Sequence, residues 1–255
     1  MFGLDRKEVA RLTNRNQYHR DTLENIRVNN AISWGQIHKE VIDLGNSMEQ
    51  DKVRLLDAGA GEGRYREILS DINNLEYIGV DSAVGSDDWD YSKVIKSDLG
   101  KMDFIENESV DIAISIQVLS HVKQLGESVK GVAEKIKPGG TMIVTTQNMQ
   151  SLTHIPYDFR RLTPYGLESV FSENGLVLTK IQPLLYGDNE SAARQLEYAM
   201  KQNLLNNDGS SVVTKFVSYT FLFGLRVFRR ILRRMDSERG MPFNPIGYYA
   251  VFKKA

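Results

Sequence analysis

Apolar residues in this chain recur in short runs separated by stretches at helical spacing. Val53, Leu55 and Leu56 make one such run, which Asp57 ends. Gly59, Gly61 and Gly63 follow, and from Arg64 onward the spacing turns helical with Tyr65, Ile68 and Leu69. A second run, residues 75–81, closes on Asp81, and a short third, 94–98, closes on Asp98. Residues 112–116 read as a buried strand, 141–146 as the next, 176–181 as a sixth, and the alternating segment 245–252 as the last. Between the fifth and sixth, 164–173 reads as a helix, with Thr163 as N-cap, Pro164 in its first turn and Gly175 beyond its end. Ile32, Trp34, Ile37, Val41 and Leu44 predict an earlier helix over 31–44, stopped by Gly45 and Asn46. The expected organisation is an α/β domain: a helical leader (1–50), a core (51–182), a helical insertion (183–241) and a last core strand (242–255).

The turn after the first strand carries the chemistry. A strand that breaks into glycines and re-forms as a helix builds a nucleotide site at the strand's carboxyl end. Glycine permits positive φ and lets a ligand lie against bare backbone, and the new helix offers unpaired N–H groups. A dinucleotide fingerprint would need glycine at position 64, where Arg64 stands. The run Asp57-x-Gly59-x-Gly61-x-Gly63 instead resembles the first motif of the class I S-adenosylmethionine (SAM) methyltransferases. An acid beside the loop suits that cofactor, whose sulfonium and amino groups stand where NAD has a pyrophosphate.

Further segments extend the resemblance in family order. Asp81 ends the second strand 18 residues after Gly63, where a carboxylate meets ribose hydroxyls. The resemblance makes Asp98 the partner of the adenine amino group, with the next backbone N–H, at Leu99, meeting the ring. Residues 117–122 are similar to the family's run after its fourth strand, with Ser120 where a Glu is common. Lys137-Pro138-Gly139-Gly140 resembles its turn before the fifth strand, and 154–167 resembles a segment of bacterial small-molecule and glycan-associated methyltransferases. The resemblance implies a Rossmann-like, doubly wound, seven-stranded sheet in order 3-2-1-4-5-7-6 with strand seven antiparallel. It also implies SAM as cofactor, S-adenosylhomocysteine as product, and cofactor contacts from Asp57, Gly59, Ala60, Gly61, Gly63, Tyr65, Asp81, Ser82, Asp98, Leu99, Gln117 and Val118.

The acceptor side is read from the loop before the 164–173 helix. His154 is the candidate general base and Tyr157 its alternate, while Arg160 and Arg161 are candidates to clamp an anionic group on the acceptor. Asp158 pairing with one of those arginines, simply to hold the loop, is the competing reading. His121 is read as a packing residue on the helix after strand four, with a base role as the alternative. In the resembling family a helical leader often forms a lid, which would bring Tyr18, His19 and Trp34 over the acceptor; Trp34 could equally anchor its helix to the core. The expected reaction is methyl transfer to an oxygen, or a nitrogen, of a small-molecule or glycan- or lipid-linked acceptor. An NAD-dependent oxidoreductase and a non-catalytic SAM-binding protein are the alternatives.

Composition changes little. At 255 residues with net charge −1, the chain has ample core and no bulk affinity for nucleic acid. It has no cysteine, and four scattered histidines show no metal-ligand spacing. Its charged first residues lack the apolar core of a signal peptide, which leads to the expectation of a cytoplasmic protein. The insertion adds one open question. Residues 216–235 place Phe221, Leu225, Phe228, Leu232 and Met235 on one helical stripe, with Arg226, Arg229, Arg230, Arg233 and Arg234 largely off it. Such a helix packs on the core or a second subunit, or lies peripherally at the inner membrane face. The oligomeric state stays open.

Overall fold

The computed structural model describes residues 32–83, 94–185, 188–205, 212–236 and 245–255. Its sheet has seven strands: β1 (Val53–Ala58), β2 (Leu75–Asp81), β3 (Val94–Lys96), β4 (Val110–Ile116), β5 (Ile136–Gln147), β6 (Leu176–Pro183) and β7 (Gly247–Lys254). They lie in the order β3-β2-β1-β4-β5-β7-β6, as the family resemblance implies. β1 to β5 are parallel, and β7 runs antiparallel between β5 and β6. The carboxyl ends of five strands therefore share one edge of the sheet.

The alternation of side chains sorts the apolar residues onto two faces. Leu56 and Ala113 face one layer with Leu125, Val129, Leu167 and Phe171. Leu55, Ile112, Ile114 and Ile143 face the other, with Ile37, Val41, Leu69 and Ile72. Helices α1 (Trp34–Asn46), α2 (Tyr65–Ile68), α3 (Leu125–Lys135) and α4 (Pro164–Ser172) supply those layers. The central strands β4 and β5 are covered on both faces and buried along most of their length.

Ser33 caps α1 in a reciprocal box with Gln36. The helix lies flat on the sheet, where Glu40 accepts from the Tyr249 hydroxyl and from Lys180, each at 2.6 Å. Trp34 is half-buried against the same apolar cluster. Tyr18 and His19, with most of the expected lid, lie outside the described residues.

Two local expectations change. The Pro-Gly-Gly turn at 137–140 falls inside the span of β5, as an excursion that shifts the β4–β5 register between Val110 and Ile112. His121 sits in a turn before α3 rather than on a helix, its N–H bonded to the Val118 carbonyl at 2.8 Å.

The insertion contains α5 (Asp188–Leu205) and α6 (Val212–Asp236), which pack together. Glu197 of α5 accepts from Arg226 at 2.8 Å and Arg229 at 2.7 Å, with Lys201 at 2.9 Å. The apolar stripe expected on 216–235 divides. Leu222 is buried and Leu225 and Leu232 half-buried, whereas Val217, Phe221, Phe228, Ile231 and Met235 are exposed. The stripe is wider than one neighbouring helix can cover, so the face beyond Glu197's reach stays open. No helix among the described residues is long and apolar enough to cross a membrane.

Candidate functional site

The turn after β1 is built on left-handed backbone. Gly59, Gly61 and Gly63 have φ of 93°, 54° and 75°. Gly59 is closed in by the turn after β4, because a Cβ there would stand 2.3 Å from a Val118 methyl. Gly61 is different: a Cβ would meet nothing within 4 Å. The tip of the loop is thus a cradle of bare backbone. Ala60 is buried and its N–H bonds the Val80 carbonyl, while Tyr65 opens α2 half-buried.

Three carboxylates lie close to the carboxyl ends of the first three strands. Asp57 is 1% exposed. Burial pushes its carboxyl up to about 7, against the lowering effect of the Tyr77 hydroxyl that donates to it and with help from the charge of Asp81. Asp81 accepts the Gly61 N–H at 2.9 Å and the Ala83 N–H at 2.8 Å, tying the cradle to the end of β2. Each oxygen keeps a second lone pair for a ligand hydroxyl. Asp98 is exposed and accepts the Gly100 N–H at 2.8 Å; Leu99 beside it is buried, and Ser82 stands in an exposed turn. These features fit a cationic nucleoside: a cradle a side chain would fill, a buried acid beside it, and two further acids spaced along the same edge.

Tyr77 is the participant that sequence reasoning missed. Its ring lies along Gly79, where a Cβ would stand 3.0 Å from Tyr77 Cε1. A glycine inside a strand often marks such a close approach, and that was the available signal.

After β4, Gln117 takes φ 60° and its N–H bonds the Thr145 hydroxyl at 3.0 Å. The loop after β5 is pinned to this turn. Phe159 N–H reaches the Ser120 carbonyl at 2.8 Å, and Arg160 Nη2 the Lys123 carbonyl at 2.6 Å. His121 Nδ1 lies 2.9 Å from the Tyr157 carbonyl. A carbonyl only accepts, so Nδ1 is the donor in this contact. The exposed His154 ring stands edge-on to His121, centroids 4.8 Å apart, on a backbone with φ 49°. Tyr157 is exposed beside them.

The two arginines separate. Arg161 forms a two-pronged pair with Asp158 and also donates to the carbonyls of Arg160, Gln150 and Ser151. The Arg161 guanidinium holds the Asp158 carboxyl well below the usual carboxylate range. Arg161 is therefore a loop strut. Arg160 lines a cavity of about 570 Å³ with Asn148, Gln150, Leu152, Phe159 and, from α5, Gln195. No sequence pattern placed Gln195 here.

Comparison with known proteins agrees with this geometry. The family described as "Methyltransferase domain" matches residues 9–206. Ubiquinone biosynthesis O-methyltransferases are similar: that of Dictyostelium discoideum, mitochondrial, is 24% identical over 52% of this chain and 53% of its own, and that of Brucella anthropi 27% identical over 48% of each. The chain thus spans about half the length of these curated relatives. Among solved structures, a SAM-dependent methyltransferase from Archaeoglobus fulgidus superposes with TM-score 0.52 at 18% identity, covering 86% of this chain and 92% of that one. A protein described as a sarcosine dimethylglycine methyltransferase, from Galdieria sulphuraria, gives 0.52 at 14% identity, over 86% and 84%. Both share the fold.

Proposed function

The chain belongs to the class I SAM-dependent methyltransferases, and from that premise we propose that it methylates a hydroxyl oxygen on a small-molecule, glycan-linked or lipid-linked acceptor. When bound, SAM supplies an electrophilic methyl on sulfur; the protein supplies position and a proton acceptor. Asp57, Asp81 and Asp98 would hold the amino acid end, the ribose and the adenine, with Gly61, Gly63 and Val118 shaping the floor. Oxygen is favoured over nitrogen because a hydroxyl nucleophile needs a base, and imidazoles stand where the loops after β4 and β5 meet. The observation that carries the reading is the His121–His154 pair, which follows the same turn whose Val118 closes on Gly59. The O-methyltransferase relatives support it. Incubation with methyl-labelled SAM and a panel of catechols, nucleotide sugars and lipid-linked saccharides tests it. Label recovered in a methyl ether is expected; label found only on nitrogen would overturn the oxygen assignment.

The base is assigned to the imidazole pair, with His154 nearest solvent and His121 oriented by the Tyr157 carbonyl. His154→Ala or His121→Ala should lower turnover about a hundredfold while leaving S-adenosylhomocysteine affinity intact. If both variants turn over normally, Tyr157 or positioning alone takes the role.

Peripheral attachment through 216–235 belongs to the same proposal. The exposed row Val217, Phe221, Phe228, Ile231 and Met235 lies beside exposed Arg230, on a helix rich in arginine. Each arginine near an anionic leaflet contributes about 1 kcal/mol, and the apolar row would enter the headgroup boundary. Arg226 and Arg229 contribute less, being paired with Glu197. Co-sedimentation with phosphatidylglycerol vesicles at low salt should pellet the protein, and Phe221→Asp with Phe228→Asp should release it. A wild-type protein left in the supernatant would assign this face to a protein contact instead.

A further inference from the structure

We propose that the cavity between the loop after β5 and helix α5 receives an oxyanion of the acceptor, a carboxylate or a phosphate, with Arg160 as its counter-charge and Gln195 as a second donor. The inference rests on the methyl-transfer reading and names the acceptor's chemical class. Two adjacent arginines enter this cavity, and their bonding differs. Arg161 is neutralised by Asp158 and bonded to three carbonyls, so it offers the cavity little. Arg160 has no ion pair among the described residues. Its Nη2 meets the Lys123 carbonyl at 2.6 Å, while its Nε is buried without a hydrogen-bond partner. A guanidinium stays charged at all ordinary pH, and a buried charged donor left unbonded is costly. An oxyanion is the ligand chemistry that removes the cost, since it meets adjacent N–H groups with adjacent lone pairs.

The lining agrees in sign and in shape. Gln195 accepts from the Ser151 hydroxyl at 3.3 Å through its carbonyl oxygen, which leaves its amide N–H groups as donors. The one lining carboxylate among the described residues, Asp158, is already paired. Leu152 and Phe159 are exposed apolar surface for the acceptor's carbon skeleton. Because Gln195 comes from the insertion, α5 becomes a wall of the acceptor site and a determinant of specificity, which gives the insertion a role in the reaction.

The test measures binding of three probes, benzoate, phenyl phosphate and phenol, by calorimetry to protein saturated with S-adenosylhomocysteine. At least one anion should bind about tenfold or more tightly than phenol, and which one does distinguishes carboxylate from phosphate. Arg160→Gln should erase that preference, Gln195→Ala should weaken the anion several-fold, and neither should change S-adenosylhomocysteine affinity. Anions that bind no better than phenol, or a preference that survives Arg160→Gln, would overturn the proposal. Should Arg160→Gln misfold, the wild-type preference and the Gln195→Ala loss still decide it. Wild-type protein that fails to bind S-adenosylhomocysteine would instead sink the methyl-transfer reading, so the two failures are distinguishable.

Discussion

Gly61→Val should lower SAM affinity more than about a hundredfold while the protein stays folded. The fold survives because a Cβ at Gly61 meets no protein atom within 4 Å, so the change adds only backbone strain at φ 54°, on the order of 1–3 kcal/mol. Affinity collapses because the valine would occupy the space in which the cofactor meets bare backbone. Gly59→Val is the control. There a Cβ comes within 2.3 Å of Val118, so the turn after β4 must move and the melting temperature should drop sharply. Asp81→Ala is milder, since losing its charge-accepted hydrogen bonds costs roughly 1.5–3 kcal/mol, a ten- to hundredfold loss. Calorimetry beside thermal denaturation reads all three. A Gly61→Val protein that binds SAM normally would remove the cradle from the cofactor site.

Asp57→Asn should raise the stability of the cofactor-free protein at pH 8 and abolish the pH dependence of SAM binding. Burial raises the Asp57 carboxyl from 3.8 to about 7, so the folded protein holds a proton there that the unfolded chain would release. The contribution to stability is full below pH 4 and is lost as pH rises through about 7. Above that, the buried charge costs on the order of 4 kcal/mol, from a shift of about three pH units. An amide of the same shape keeps the Tyr77 hydrogen bond and never carries the charge. A cationic ligand reverses the sense, because it favours the ionised form. Wild-type affinity for SAM should therefore fall about tenfold between pH 8 and pH 6, and Asp57→Asn should be weak and flat across that range. Equal stability of the two proteins at pH 8 would show that water or structural relaxation already solvates the carboxylate.

Tyr77→Phe separates the partners. Without its hydroxyl the Asp57 carboxylate loses the one hydrogen bond that lowers its proton affinity, so the affinity-against-pH curve should move to higher pH.

The sheet and the glycine turn were legible in the chain because their causes are local. Asp57, Asp81 and Asp98 each lie close to a strand's carboxyl end, which is marked by where an apolar run stops. Thr163 and Pro164 start α4 for reasons contained in one turn of helix. The strand order was expected only because the chain's motifs resemble a known family's, and that resemblance implied it. Side-chain partnership is a different kind of fact. Arg160 and Arg161 are neighbours of identical chemistry, and only the folded loop gives Asp158 to one and a buried, unbonded Nε to the other. The stripe on α6 was visible as a period, but which part of it is covered depends on where Glu197 draws the helix against α5.

The sequence by itself thus determined the strands, the cofactor turn and the acids at its edge, because hydrophobic period and glycine's backbone freedom act within a few residues. The tertiary structure alone decided that Tyr77 holds Asp57, that His121 Nδ1 meets the Tyr157 carbonyl, and that Gln195 borders the cavity beside Arg160. Those facts join residues from 20 to 36 positions apart, and their energy depends on distance and burial, which periodicity does not encode.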